Sequence, residues 1–406
     1  MPTAAPAPQL RRRLGLPLLT LYGVGITIGA GIYVLIGAVA GHAGRAAPWS
    51  FVIAGLAMAF TVGSYAELAT RYPVSAGEAA YVRAAFNSRL ASTLTGLLTI
   101  VIGMVSSATV ALGAAGYIGQ FIDWPRGAIA AAVVVALGAV ASWGILESAL
   151  LASLFTLIEA GGLIVIIAAA IHGGVPFLAT LAEGPPLELH ALSGVFYASL
   201  LAFFAFIGFE DLANVVEEAK APERNIPRAM VLTLAISTAL YLSVAAIAVT
   251  AVPPAELARS AAPLSLVFRT VASLSPATIS VIAIVATLNT ILAQMTMAAR
   301  VVYGLARQGD LPRIAGHVHA KTATPLLATA LVVAATIALA LLVPFERLAE
   351  STSLATLAVF AAVNLALLRL RLRRVHVASP HVRVPLWMPV LGLASCVAMM
   401  AAVLLG

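Results

Sequence analysis

The chain has 406 residues, of which 62% are hydrophobic and 10% are charged, and its formal net charge is +7. A soluble globular domain is about half apolar and about 25% charged, so this composition excludes an ordinary water-soluble protein, and it equally excludes a disordered one. The single cysteine, Cys396, excludes an intrachain disulfide and a cysteine-based metal cluster. A membrane protein is the class that remains.

Runs of apolar residues divide the chain into candidate membrane spans, each of which needs about 20 residues to cross a bilayer as a helix. Eleven stretches qualify, and they are residues 15–41, 47–70, 90–121, 127–143, 148–171, 192–216, 228–251, 276–306, 325–343, 348–369 and 385–406. None shows the short alternating segments of a transmembrane β-barrel. The sequence predicts an all-α polytopic membrane protein with about 11 transmembrane helices in contact with lipid, preceded by a cytoplasmic tail at residues 1–13.

Lysine and arginine predict the orientation. If the N-terminus is cytoplasmic, 18 of the 23 basic residues lie inside, and the five outside are Arg45, Arg126, Arg259, Arg269 and Arg347. An excess of basic residues is typical of cytoplasmic loops. It explains the positive net charge of the chain without a nucleic-acid partner. Eleven spans in a cell membrane then place the C-terminus outside.

Spans 1 and 6 carry signals for a break inside the membrane. Span 1 has four glycines within nine residues, namely Gly23, Gly25, Gly29 and Gly31. Each costs a helix up to about 1 kcal/mol relative to alanine. Span 6 has Gly208 with Glu210 and Asp211 close behind it. Glycines that serve close helix packing are the alternative explanation, but packing glycines recur at a spacing of four.

The order of the spans predicts an internal repeat. Spans 1 and 6 are the disturbed helices, and spans 3 and 8 are the two overlong ones. Five is an odd number, so a second set of five spans starts on the opposite side of the membrane, which makes the repeat an inverted one with a site near the midplane. The predicted units are residues 14–172 and 190–373, followed by an additional helix at 384–406.

A break in a membrane helix leaves backbone groups that need a partner. Amide groups at a half-helix N-terminus attract a carboxylate, and free carbonyl groups attract an ammonium. A pair of broken helices therefore suits an α-amino acid, which carries both charges.

Four stretches resemble the amino acid–polyamine–organocation transporters, and among these the bacterial amino acid permeases. They are GITIGAGIY at 25–33, YAEL through YPVSAGEAAY at 65–81, the stretch from Phe204 to Ala229 and the stretch from Ala299 to Pro312. The resemblance implies a LeuT-type fold of two inverted five-helix repeats in which helices 1 and 6 are unwound. The family usually has twelve spans, and a chain with eleven is expected to be a monomer or a weak dimer.

The resemblance also implies a substrate site. The substrate carboxylate would meet the amides of Gly29, Ala30 and Gly31, and Thr27 would face the substrate through its carbonyl and side chain. The ammonium would meet the carbonyls of Phe204, Ala205 and Ile207, with the Phe204 ring closing over the substrate. A threonine bonded back to its own helix and an ordinary core or lipid-facing phenylalanine are the alternatives. Asn289, with Thr290 and Gln294, predicts a polar wall on span 8.

Two departures from close relatives bear on substrate and coupling. Relatives for cationic amino acids often have an acidic residue on span 3, whereas residues 90–121 contain no charged residue, which favours neutral amino acids. Proton-coupled relatives place a lysine in the middle of span 5, where this chain has Glu159. A charged carboxylate at the midplane costs about 2.5–3.5 kcal/mol, and such residues are usually functional. Glu159 is therefore predicted to set proton coupling, unless it is a permanently protonated side chain that bonds a span 1 carbonyl.

The sequence thus predicts a secondary active transporter that moves neutral amino acids by alternating access, coupled to protons or working as an exchanger. Because the sequence contains no catalytic cluster, we do not expect the protein to be an enzyme. We also expect no cofactor and no metal site. A polyamine, organic-cation or cationic amino acid transporter of the same fold is the alternative, as is a sodium-coupled symporter.

Overall fold

The computed structural model describes residues 14–73, 77–143, 149–186, 188–272, 275–319, 322, 324–375 and 381–405. The predicted tail at residues 1–13 lies outside this part of the chain. Within the described ranges the secondary structure is helical, and the only extended pairing is an isolated bridge between Leu14 and Ala219.

Sixteen α-helices follow one another in the described residues. They are α1 (Leu16–Ile28), α2 (Gly31–Ala43), α3 (Ala47–Arg71), α4 (Gly77–Phe86), α5 (Arg89–Ile118), α6 (Arg126–Trp143), α7 (Ala149–His172), α8 (Phe177–Ala182), α9 (Leu189–Phe204), α10 (Pro222–Ala251), α11 (Pro254–Arg259), α12 (Pro263–Val271), α13 (Ala277–Gln308), α14 (Leu326–Leu342), α15 (Phe345–Leu372) and α16 (Trp387–Leu405). Short 3₁₀ turns lie at Gly44–Ala46, Phe209–Ala213, Val216–Glu218 and Arg313–Gly316.

The helices match the predicted spans in order. Span 1 is α1 with α2, span 6 is α9 with the 3₁₀ turn Phe209–Ala213, and α3, α5, α6, α7, α10, α13, α14, α15 and α16 form the other nine. Eight stretches are long and apolar enough to cross a bilayer, and three shorter apolar helices accompany them. The protein is therefore an all-α polytopic membrane protein. The division into two inverted repeats at 14–172 and 190–373 stays a prediction.

Spans 3 and 8 form long helices, with 30 residues in α5 and 32 in α13, but α10 of span 7 also has 30 residues. The prediction that spans 3 and 8 are the two overlong ones is therefore wrong, because span 7 begins six residues earlier than its apolar run. Ser88 caps the start of α5 by accepting a hydrogen bond from the Ala91 amide at 3.2 Å. Gly309 ends α13 in the left-handed region at φ 81°. The short connecting helices α4, α8, α11 and α12 lie outside the predicted spans.

Neighbouring spans are joined by buried polar contacts. Asn364 in α15 donates from Nδ2 to the hydroxyl of Thr61 in α3 at 3.0 Å, and its Oδ1 accepts from Ser64 at 2.6 Å. At the start of span 1, Leu14 exchanges backbone hydrogen bonds with Glu218 and Lys220, which follow span 6. The two disturbed spans are thus tied to each other at one end.

Candidate functional site

Span 1 breaks at two residues. Helix α1 ends at Ile28 and α2 begins at Gly31, which leaves Gly29 and Ala30 between them. The Ala30 amide donates to the Thr290 hydroxyl of α13 at 3.1 Å. A Cβ on Gly29 would lie 2.5 Å from the same hydroxyl, so the approach of α13 requires glycine at this position.

Span 6 breaks after Phe204, the last residue of α9. Gly208 has φ 123°, a conformation that side-chain-bearing residues rarely adopt. Its amide donates to Oε2 of Glu210 at 2.8 Å. The carboxylate two residues further along the chain therefore satisfies a backbone group that the break exposes.

The two breaks touch each other. A Cβ on Gly31 would overlap Ala205, and a Cβ on Gly208 would lie 2.9 Å from the Ile26 carbonyl oxygen. The glycines of the breaks therefore have both predicted roles. They lie at the helix ends, and they also allow close contact between spans 1 and 6.

Tyr241 of α10 joins the breaks chemically. Its buried hydroxyl lies 2.7 Å from the Thr27 carbonyl oxygen and 2.7 Å from the Ala205 carbonyl oxygen. A hydroxyl has one proton, so it donates to these two acceptors by sharing or alternation. One carbonyl group of each broken span therefore shares the Tyr241 hydroxyl as its donor.

The predicted substrate residues lie together at these breaks. Thr27, Phe204 and Ile207 are buried, with 2%, 5% and 7% of their surface exposed. The Phe204 carbonyl accepts from the Ile207 amide at 3.2 Å. The Thr27 hydroxyl finds no hydrogen-bond partner among the described atoms, so the alternative of a bond back to its own helix is not what the structure shows.

Span 8 supplies a polar wall next to span 5. Asn289 donates from Nδ2 to Oε1 of Glu159 at 3.1 Å. The Gln294 side-chain oxygen and Oδ1 of Asn289 are buried without a hydrogen-bond partner in the described part of the chain. Thr290, one residue from Asn289, contacts span 1 instead.

Glu159 is fully buried in the middle of α7. Its backbone carbonyl accepts from the Tyr33 hydroxyl of α2 at 2.5 Å, and the Tyr33 carbonyl in turn accepts from the Tyr117 hydroxyl of α5 at 2.6 Å. The residue thus connects spans 1, 5 and 8, its side chain toward span 8 and its backbone toward span 1.

Two hydroxyls in the middle of span 3 donate to carbonyl groups of their own helix. Ser107 donates to the Gly103 carbonyl at 2.7 Å, and Thr109 donates to the Val105 carbonyl at 2.8 Å. Both are ordinary contacts of small polar residues in membrane helices. Neither hydroxyl is therefore a strong candidate for contact with the substrate.

Two hydrogen-bonded glutamates, the buried Glu67 and the half-buried Glu78, lie at the end of the bundle that is predicted to be cytoplasmic. Arg371 of α15 binds Glu67 of α3 in a two-pronged contact, at 2.6 and 2.5 Å. Glu78 of α4 accepts from the Tyr65 hydroxyl at 3.0 Å. Burial raises the pKa of Glu78, and backbone and Tyr65 hydrogen bonds oppose this.

Neither Tyr241 nor the hydrogen bond of Glu210 at the break was predicted from the sequence. The one tyrosine of span 7 was the available signal, because a buried tyrosine hydroxyl usually finds a hydrogen-bond partner. The identity of that partner could not be seen, since Thr27 lies 214 residues earlier in the chain.

A bundle of membrane-spanning helices in which two broken helices meet is typical of secondary transporters. The family described as "Amino acid permease" matches residues 14–406. The chain belongs to this family, which is part of the amino acid–polyamine–organocation superfamily, and it is an amino acid transporter rather than an enzyme.

Named relatives span several substrates. "Branched-chain amino acid permease BcaP" of Bacillus subtilis (strain 168) is 31% identical over 390 residues, covering 89% of this chain and 82% of the relative. "Methylthioribose transporter" of the same organism is 29% identical, with 95% and 87% covered. "Cationic amino acid transporter 2, vacuolar" of Arabidopsis thaliana is 28% identical, with 89% and 60% covered.

Proposed function

We propose that the protein carries neutral amino acids across the membrane by alternating access, with the substrate held between the breaks of spans 1 and 6. The observation that supports this most directly is the pair of polar contacts at the breaks. The Thr290 hydroxyl binds an amide of span 1, and the Tyr241 hydroxyl binds a carbonyl from each broken span. An amino acid offers the same two kinds of group, an acceptor and a donor.

Each charged group of the substrate then has a site. The carboxylate binds the amides around Gly29, Ala30 and Gly31 and takes the place of the Thr290 hydroxyl. The ammonium binds the Thr27 and Ala205 carbonyls and takes the place of Tyr241. Because oriented backbone groups at helix ends carry partial charges, they bind a zwitterion without any charged side chain.

The side chain of the substrate packs against Phe204 and Ile207. Residues 27–31 and 204–208 contain no ionisable side chain, so a second positive charge on the substrate would have no partner within these segments. This favours neutral substrates, and the similarity to a branched-chain amino acid permease points the same way.

Alternating access requires the breaks to move apart. Gly31 and Ala205 are in direct contact, which leaves no room between these two residues for a substrate. In the proposed cycle the half-helices separate on one side of the membrane and then on the other, with residues 14–172 and 190–373 as the two inverted units.

We assign the coupling of transport to Glu159. Transport is then driven either by protons or by the exchange of one substrate for another. The side chain of Glu159 accepts from Asn289 of span 8, and its backbone carbonyl accepts from Tyr33 of span 1. A change in side-chain protonation therefore acts directly on the contact with span 8. A cationic amino acid or polyamine is the second candidate substrate, because relatives named as cationic amino acid transporters match 89% of the chain and Glu159 could be the partner of the cation.

Uptake by the purified protein in proteoliposomes tests this function. Labelled leucine should accumulate, and unlabelled leucine, alanine or serine should compete, whereas arginine, putrescine and methylthioribose should not. Phe204→Ala should weaken leucine binding about tenfold or more, since burying an aromatic side chain is worth about 1.5–3 kcal/mol. Phe196→Ala is the matched control, because Phe196 lies on the same helix with 50% of its surface exposed.

Competition by arginine or putrescine in the absence of any effect of leucine, alanine and serine would reject the neutral substrate class. Equal affinity in Phe204→Ala and Phe196→Ala, with both variants well folded, would reject the position of the site.

A further inference from the structure

A basic cavity lies where span 10 ends, away from the two breaks. Its volume is about 400 Å³. It is lined by residues of spans 2, 10 and 11 and of the segment before span 11, and these are Arg71, Leu370, Arg371, Arg374, Val375, His381, Arg383 and Leu386. No carboxylate occurs among these eight residues.

The charge of the cavity is not balanced by its nearest acid. Glu67 pairs with Arg371 at 2.5 Å and with Arg71 at 3.6 Å. Glu67 therefore brings one negative charge to the two guanidinium groups that it contacts, and two further arginines, Arg374 and Arg383, line the cavity. A concave surface of this charge concentrates anions.

One arginine of the cavity is buried and incompletely bonded. Arg71 has 4% of its side chain exposed, and its Nε has no hydrogen-bond partner in the described part of the chain. Its other end reaches Glu67 and the Val375 carbonyl. Basic residues that only set membrane orientation lie in solvated loops, whereas this guanidinium is held inside the protein at the cavity wall.

Exposed apolar residues directly adjoin, in the chain, residues that line the cavity. Leu386 and Trp387 have 50% and 54% of their surface exposed, and Leu372 has 78%. Tryptophan at the start of a span is typical of the interface between lipid headgroups and acyl chains. Because Trp387 directly follows Leu386 of the cavity wall, we expect the arginines of the cavity to lie near the level of lipid phosphate groups, beside apolar surface that acyl chains can cover.

We propose that this cavity binds the phosphate of an anionic phospholipid. Guanidinium groups bind phosphate oxygens through paired hydrogen bonds, and basic pockets between membrane helices are suited to anionic headgroups. The lipid bridges spans 2, 10 and 11. A soluble phosphate compound shares the chemistry but would leave the exposed leucine and tryptophan side chains without a partner.

Binding to the detergent-solubilised full chain tests the proposal. Dioleoylphosphatidylglycerol is titrated against dioleoylphosphatidylcholine, which has the same acyl chains without the net negative charge, and inorganic phosphate and glycerol 3-phosphate are titrated separately. The variant Arg374→Gln with Arg383→Gln removes two exposed arginines of the cavity. The matched control, Arg307→Gln with Arg313→Gln, removes two exposed arginines elsewhere.

Wild-type protein and the control variant should prefer phosphatidylglycerol, and the cavity variant should bind it about thirtyfold more weakly. Equal affinity for the two lipids, or an equal loss in the cavity and control variants, would overturn the site. Binding of inorganic phosphate or glycerol 3-phosphate as tightly as the lipid would overturn the assignment to a lipid. None of these outcomes bears on the transport function proposed for the breaks, because that function is tested separately by leucine uptake.

Discussion

Tyr241 is the residue on which the closed arrangement of the two breaks depends. Its hydroxyl is the described donor to the Thr27 and Ala205 carbonyls, and all three groups are buried. A buried acceptor that loses its donor costs about 1–3 kcal/mol. The ammonium of a bound amino acid would supply a new donor to the same oxygens.

Tyr241→Phe should therefore destabilise the empty protein more than the substrate-bound protein. In a thermal unfolding experiment the variant should melt at a lower temperature than wild type, and saturating leucine should raise its melting temperature by more than it raises that of wild type. Tyr303→Phe is the control, because Tyr303 lies on α13 about 20 Å along the helix from Thr290. A leucine shift no larger than that of wild type would contradict the role of these carbonyls in binding the ammonium.

Glu159→Gln separates proton coupling from a purely structural role. Glutamine keeps the shape and can still contact Asn289 and the neighbouring backbone, but it cannot titrate. We expect the variant to lose the pH dependence of leucine uptake and accumulation driven by a pH gradient, while leucine–leucine exchange survives. Glu256→Gln, on the connecting helix α11, should behave as wild type. Unchanged pH dependence in Glu159→Gln would leave Glu159 only a structural role.

At the scale of elements, we expect the stability that α4 contributes to the fold to depend on pH. Burial raises the pKa of Glu78, which lies in its first turn. A carboxyl group whose folded pKa is raised stabilises the fold below its unfolded pKa, and this stabilisation is lost as the pH rises through the folded pKa. The ionised form is then the one that burial penalises.

Glu78→Gln should remove this titration while still accepting the Tyr65 hydrogen bond. Melting temperatures of the variant and wild type should coincide near pH 4 and separate toward pH 8, with the variant more stable at the higher pH. Glu256→Gln should show no such separation, because Glu256 is exposed. A variant that is less stable than wild type at pH 8 would show that the ionised carboxylate is stabilising.

The break in span 1 could be predicted from sequence because its cause is local. Glycine weakens a helix at any interior position. Helix α1 ends one residue before Gly29, and α2 begins at Gly31. The contacts that complete the break are not local. Thr290 lies 260 residues from Ala30, and nothing in the alternation of apolar and polar residues indicates which hydroxyl of α13 faces which amide.

The same distinction applies to Glu159. Its depth in span 5 follows from the length of the helix, whereas its contact with Asn289 depends on how spans 5 and 8 are rotated about their axes. Family resemblance indicated the region of the proposed substrate site, but the tyrosine hydroxyls at its borders come from α2, α5 and α10. Several serines and threonines accompany the tyrosines of α5 and α10, so the sequence does not single these hydroxyls out.

At the scale of the whole molecule, the distribution of charge makes a prediction about orientation. With 18 of 23 basic residues on one side, the loop between α5 and α6 should face outward and the loop after α13 should face the cytoplasm. The chain has one cysteine, Cys396, which is buried, so a Cys396→Ser background gives a protein without thiols.

In that background, Asp123→Cys and His317→Cys place single thiols at exposed positions of these two loops. A membrane-impermeant maleimide added to intact cells should label the thiol at position 123 and should label that at position 317 only after permeabilisation. A cysteine appended after Gly406 should behave like the one at position 123, because an odd number of spans places the two ends on opposite sides. Labelling of position 317 in intact cells would invert the orientation. A thiol after Gly406 that reacts together with position 317 would instead mean an even number of spans.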